Sequence, residues 1–326
     1  MIQPYEMSLG LPMEVADKVL STTDKVWRIL VASRDGDLAA VKRMVADCPE
    51  LIYAQYNYTP PIHFAVREGH RDLVRYLLDH GAHDPTYRIY PFLDNLQALA
   101  QDRGHEDIVS QLQAYANDPS RQKYKGDNGT IHFNRNELQK EFEHTVNKLD
   151  IVKTEQILQS NPEFALDETY FWGEGILMKP AKVAHFKLVK LLMDYGAKVP
   201  DILKWTQFYY FERYDSAVFL MENGINPNVM SWHHVTILHD MAQKGDVQKA
   251  ALLIGHGADI DPLEDEYQST PLGMAARWGH LEMVDYLLKQ GADPNRSGAD
   301  WAKPLTWATR RGHNIIAELL KQHGAI

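Results

Sequence analysis

Cysteine is almost missing from this chain of 326 residues: Cys48 is the only one. No disulfide can form within the chain, and a zinc site built on cysteines is excluded. The expected compartment is a reducing cytoplasm. Long apolar runs are missing as well. No stretch reaches the roughly eighteen apolar residues that a membrane helix needs. The opening residues, MIQPYEMSLGLPMEVADKV, lack the basic start and apolar run of an export signal. A chain that is neither exported nor membrane-spanning is expected. Net positive charge is also absent. With a formal charge of −10 the protein is no general polyanion binder, and a nucleic-acid partner would need a local basic patch. What is present is apolar material: 44% of the residues are hydrophobic, enough for a sizeable core.

That material is periodic. TPLGMAARWGHLEMVDYLLKQGADPN, starting at Thr270, is followed by KPLTWATRRGHNIIAELLKQHGA, starting at Lys303. TILHDMAQKGDVQKAALLIGHGADID precedes them, and PPIHFAVREGHRDLVRYLLDHGA lies near the start of the chain. Each copy carries a pair of glycines at the same separation, such as Gly279 and Gly291. Thr270 and Pro271 suit the start of a helix: the hydroxyl caps orphan amides, and proline costs nothing in the first turn. Gly279 suits its end. Val284, Leu287 and Leu288 then form the apolar stripe of a second helix, which Gly291 closes.

These residues resemble the ankyrin repeat, with its threonine-proline start, Gly-His turn and Gly-Ala end. The resemblance implies an all-α solenoid of stacked helix-turn-helix units with short β-hairpin or loop tips. By the glycine register nine units start near Lys25, Tyr58, Pro91, Asn136, Tyr170, Leu203, Trp232, Tyr267 and Asp300, and the third to sixth are degenerate. The expected division is a capping segment with a short helix over 1–24, repeats over 25–117, an inserted loop or hairpin over 118–136, degenerate repeats over 137–231 and regular repeats over 232–326. Pro12 to Thr22 is the expected helix of the cap, and Asp127, Asn128 and Gly129 are a turn signal in the insertion.

No catalytic constellation stands out. In the family, histidines such as His63, His239, His70, His105, His185, His280 and His313 are structural, bonding neighbouring loops. The cluster His233, His234 and His239 is the best metal candidate left, but no carboxylate at a helical spacing completes it. GEGILM and KGDNGT are turn signals, not phosphate loops. The acidic run DIDPLEDEYQ, Asp259 to Gln268, reads as a solvated hairpin tip. The expectation is a protein that is no enzyme and needs no cofactor or metal.

The resemblance implies recognition on the concave surface of the first helices. The pair of residues before each first glycine should face outward there: Arg67 and Glu68, Gln243 and Lys244, Arg277 and Trp278, Arg310 and Arg311. The last three pairs make a basic stripe beside the acidic tip, and an arginine-flanked tryptophan is the composition of interface hot spots. In the sixth unit the crowded stretch KWTQFYYFERYD reads as a first helix, with Trp205, Phe208 and Tyr209 as oversized core and Tyr210 and Phe211 on the concave face. Pro180 should shorten or kink the first helix of the fifth unit. The leading function is therefore a non-enzymatic scaffold binding an unidentified partner protein or peptide. Two alternatives are a small ligand held by the aromatic middle repeats, and a polyanion held by Lys244, Arg277, Arg310 and Arg311.

Overall fold

Where threonine, asparagine or aspartate precedes an apolar stripe, the chain starts a helix. Where glycine follows it, the chain turns. A computed structural model describes residues 1–16, 18–121, 123, 129–204 and 210–326. The chain divides into two compact units, Gln3–Asn134 and Arg135–Ile326, with Met1–Ile2 belonging to the latter.

The unit Gln3–Asn134 opens with an antiparallel hairpin of β1 (Pro12–Ala16) and β2 (Val19–Thr22). Three pairs of helices follow: α1 (Thr23–Arg34) and α2 (Leu38–Asp47), α3 (Pro61–Arg67) and α4 (Arg71–Asp79), α5 (Leu96–Asp102) and α6 (Glu106–Ala116). The first helices lie side by side, α1 on α3 and α3 on α5. The hairpin corrects the expectation of a helix at Pro12 to Thr22. Met13 and Val15 are fully buried while Glu14 between them is not, so the stretch follows the two-residue period of a strand.

The inserted segment serves that strand. Gly129 donates its N–H to the Glu14 carbonyl at 2.9 Å, Glu14 donates to Thr130 at 3.0 Å, and His132 donates to Pro12 at 2.9 Å. Residues 129–132 thus pair with β1 rather than with a strand of their own among the described residues. Asp127 and Asn128 of the turn signal lie outside the described residues.

In the unit Arg135–Ile326 the pair α7 (Glu137–Asn147) and α8 (Ile151–Ser160) comes first. A single turn, α9 (Tyr170–Gly173), has left-handed backbone at Phe171 and Trp172. It leads to α10 (Met178–Lys182) and α11 (Phe186–Asp194). Pro180 lies in α10, which is only 5 residues long. Then come α12 (Tyr214–Glu222), the pair α13 (Ile237–Lys244) and α14 (Val247–Gly255), the pair α15 (Pro271–Trp278) and α16 (Leu281–Lys289), and the pair α17 (Pro304–Arg310) and α18 (Asn314–Gln322). Short strands β3 (Ile202–Leu203) and β4 (Met230–Ser231) pair in parallel. Again the first helices pack in a row, α13 on α15 and α15 on α17, with α14 on α16 and α16 on α18 behind them.

The Gly-His turn locks one pair to the next. Gly279 has φ +82°, and a Cβ placed there would lie 2.6 Å from the His313 ring. Nε2 of His313 bonds the Arg277 carbonyl at 3.2 Å, and Nε2 of His280 bonds the Gln243 carbonyl at 2.6 Å. His70 and His105 do the same to Arg34 and Arg67 in the other unit. A carbonyl only accepts, so each Nε2 donates, and the ring needs the space that glycine leaves. His185 differs: its Nδ1 accepts from Leu188 and caps α11, and Ala184 stands where the glycine would be.

Gly279→Ala should therefore lower stability by about 2 kcal/mol, from a left-handed alanine and a displaced imidazole. Gly291→Ala, at φ +94° with nothing within 4 Å, should cost only the backbone part. Urea unfolding of both variants checks the difference, and equal losses would remove the role given to His313.

Candidate functional site

Gln243 and Lys244, Arg277 and Trp278, Arg310 and Arg311 fall at matching ends of the packed helices α13, α15 and α17. Their burial separates them. Lys244, Arg310 and Arg311 are exposed, while Gln243 and Trp278 are half-buried. Arg277 is only 5% exposed, which corrects the expectation that it faces outward. Its guanidinium lies 4.2 Å from the ring centre of Tyr267, 4.1 Å from Trp278 and 5.1 Å from Trp307. A planar cation stacked on three rings is held better than one in solvent. Arg277 therefore braces Trp278 from behind.

The rings around it are fixed in turn. Tyr267 and Trp307, both fully buried, meet edge to face at 5.9 Å. The Trp307 indole N–H donates to the Ser269 hydroxyl at 2.7 Å, and that hydroxyl donates to the Ala302 carbonyl at 3.1 Å. The Ser269 carbonyl accepts from His239 Nε2 at 3.1 Å, while the backbone N–H of Thr236 donates to His239 Nδ1 at 3.1 Å. Burial holds His239 neutral by lowering its pKa to about 4. His239 is thus a strut from α13 to the next repeat.

The acidic run is not a solvated tip. Glu264 and Glu266 are buried at 2% and 0% exposure. The chain from 264 to 269 wraps around the Glu264 carboxyl, which accepts from the backbone N–H of Glu266, Tyr267 and Ser269 at 2.6, 3.0 and 3.0 Å. Those donors are what allow the group inside. Burial still pushes Glu264 up to about 8, helped by the nearby Glu266. The buried His233 Nδ1 lies 2.6 Å from a Glu266 carboxyl oxygen, which gives one histidine of the candidate metal cluster a carboxyl partner.

In the unit Gln3–Asn134, Arg67 is also buried, at 2% exposure, against the expectation that it faces outward. It folds back 5.0 Å over the Phe64 ring and bonds Glu68 at 2.7 Å. Glu68 is half-buried and lies 3.6 Å from Arg103.

Tyr210 and Phe211 are corrected as well, being 0% and 1% exposed. Residues 210–213 form turns and bends ahead of α12, so a helical register does not apply to them. The Tyr210 hydroxyl donates to the Glu174 carbonyl, and that bond lets the whole ring be buried. The aromatic ligand site loses its main support. Trp205, Phe208 and Tyr209 lie outside the described residues.

Asp240 has no place in the sequence reading. It occupies the position held by Phe64, Met274 and Trp307 in other repeats, and like them it is 0% exposed. Its Oδ2 accepts from Lys244 Nζ at 2.7 Å, while Oδ1 has no hydrogen-bond partner among the described residues. An ionisable residue at an apolar register position was the available signal.

Residues 210–298 match the family described as ankyrin repeats in three copies, and residues 58–89 match the single ankyrin repeat. It is an ankyrin-repeat protein. The chain is similar to palmitoyltransferase ZDHHC17 of Danio rerio, at 41% identity over 95 residues, which is 29% of this chain and 15% of that protein. ZDHHC17 of Homo sapiens is 39% identical over 95 residues, again 29% of this chain and 15% of the relative. Putative palmitoyltransferase ZDHHC13 of Danio rerio is 36% identical over 124 residues, 38% of this chain and 19% of the relative. The chain therefore spans less than a fifth of the length of these relatives, and the match falls in their ankyrin region, which is not the catalytic part. Ankyrin repeats generally mediate protein-protein interaction. No helix among the described residues is long and apolar enough to cross a membrane.

Proposed function

We propose that this ankyrin-repeat protein is a non-enzymatic scaffold that binds a partner protein, or a peptide of it, on the concave face of its solenoid. The binding edge is Gln243, Lys244, Trp278, Arg310 and Arg311. One observation carries the reading: three packed first helices end in the same register, and a half-buried tryptophan stands there between exposed cations. Tryptophan and arginine are the residues on which interfaces most often depend, and a rigid row presents them at little entropic cost. Arg277 serves as support behind Trp278. A cytoplasmic location, suggested by the single cysteine, goes with this role. The likeness to palmitoyltransferases covers repeats alone, so it supports binding and not acyl transfer.

Affinity purification from the native source tests the reading. The K244A/W278A/R310A/R311A variant should recover the wild-type partner at least about tenfold less well, since losing even one hot-spot side chain costs about 1–2 kcal/mol, and should keep the helical circular dichroism of the wild type. Undiminished recovery would refute the edge.

A further inference from the structure

Burying a carboxylate without a full set of donors is costly, so Asp240 calls for an explanation. Met274 and Trp307 stand at its register position in the two following repeats, where no charge is needed. What Asp240 touches is one of the cations of the proposed edge: its Oδ2 holds Lys244 Nζ at 2.7 Å, although the Lys244 side chain is 47% exposed. The ammonium that would meet a partner is therefore tied to the protein's own interior.

The edge has its own chemistry. Lys244, Arg310 and Arg311 are exposed cations on a chain whose net charge is −10, so the local sign is opposite to the global one. Charge complementarity points to an acidic partner. Arg277 already lies over the Trp278 ring at 4.1 Å, which takes up a face that a nucleic-acid base would stack on. An extended peptide needs only the remaining ring surface and the cations.

We infer that this edge takes an acidic peptide segment, and that Asp240 is the positioning residue that withholds Lys244 from it until its own carboxyl is protonated. The inference rests on the proposed binding edge. The charged groups acting on Asp240 are Lys244 on its own helix and Asp246 and Lys249 at the start of α14; the neighbouring α15 carries Arg277 as its only ionisable residue, and that guanidinium lies on the rings of Tyr267, Trp278 and Trp307. Burial outweighs the two lysines and pushes Asp240 up to about 6. Above that value the carboxylate competes with a partner's carboxylate for the same ammonium. Below it that competition ends.

The test uses the full chain and a fluorescent hexa-aspartate peptide carrying one tryptophan, at low salt. Between about pH 7.5 and about pH 5.5 wild-type binding should tighten roughly two- to fivefold, the size of one exposed ion pair. Asp240→Asn should bind at the higher pH as the wild type does at the lower one. Lys244→Met should bind weakly at both and lose the pH response. All ionisable residues other than the one substituted are common to the proteins compared, so their contribution cancels. Arg310→Ala/Arg311→Ala should abolish binding.

If Asp240→Asn and wild type respond to pH alike, the withholding role falls. If hexa-aspartate does not bind at either pH, or a single-stranded oligonucleotide of equal charge binds better, the acidic-peptide class falls, whereas partner capture through the edge can still succeed. Melting of Asp240→Asn at the wild-type temperature shows that binding differences are not unfolding.

Discussion

Trp307→Ala lowers the stability of the C-terminal repeats by about 4 kcal/mol, within the range of roughly 3–5 kcal/mol for deleting a buried aromatic side chain. Several losses add there. The cavity opens against the rings of Tyr267 and Trp301, which meet Trp307 edge to face at 5.9 and 5.8 Å. The Ser269 hydroxyl loses the indole donor at 2.7 Å, and the Arg277 guanidinium loses a ring at 5.1 Å. Trp307→Phe keeps most of the volume but not the N–H, and should cost about 1–2 kcal/mol. Urea unfolding followed by circular dichroism reads both variants. A loss below about 1 kcal/mol for the alanine variant would mean that the aromatic cluster is not the core of these repeats.

Glu264→Ala is expected to be nearly as damaging, at about 3 kcal/mol or more. It leaves the N–H groups of Glu266, Tyr267 and Ser269 inside the protein without their acceptor, each at a cost of about 1–3 kcal/mol unless the loop opens. The pH dependence has a definite sign. Because the folded pKa is raised to about 8, the folded state holds the proton more tightly than the unfolded one. The stability from that proton is fully present at acidic pH and is lost as pH rises through about 8. The difference between wild type and Glu264→Ala should therefore be larger near pH 6 than near pH 9. Unfolding curves at both values decide it: a difference that grows with pH would show that the carboxyl is held ionised.

The helix ends were legible because their signals are local. Thr270 caps, Pro271 starts, Gly279 takes a left-handed turn and His313 fills the space beside it, and each step follows from residue chemistry. Side chains whose direction is set by another repeat were not legible. Arg277 and Trp278 are adjacent and both amphipathic, and only the rings of Tyr267 and Trp307 decide that the arginine turns inward. Arg67 turns back in the same way, over Phe64.

The acidic run misled because composition does not show that a backbone loop closes around Glu264. Tyr210 and Phe211 misled because a helical register was extended through a turn. The hairpin at Pro12–Thr22 was readable from the alternation of Met13, Glu14 and Val15, although its pairing with residues 129–132 was not. Asp240 stood in plain view, a charged residue at the register position of Met274 and Trp307.

The central claim is that the row from Lys244 to Arg311 meets a partner protein. A photo-crosslinking benzophenone side chain placed at Trp278, with a second protein carrying it at Val152 as control, tests this most directly. Val152 is 62% exposed on α8, which packs with α7 and α11. A single covalent adduct is expected from position 278, with the protein that the wild type captures, and none from position 152. Adducts from position 152 and none from position 278 would contradict it.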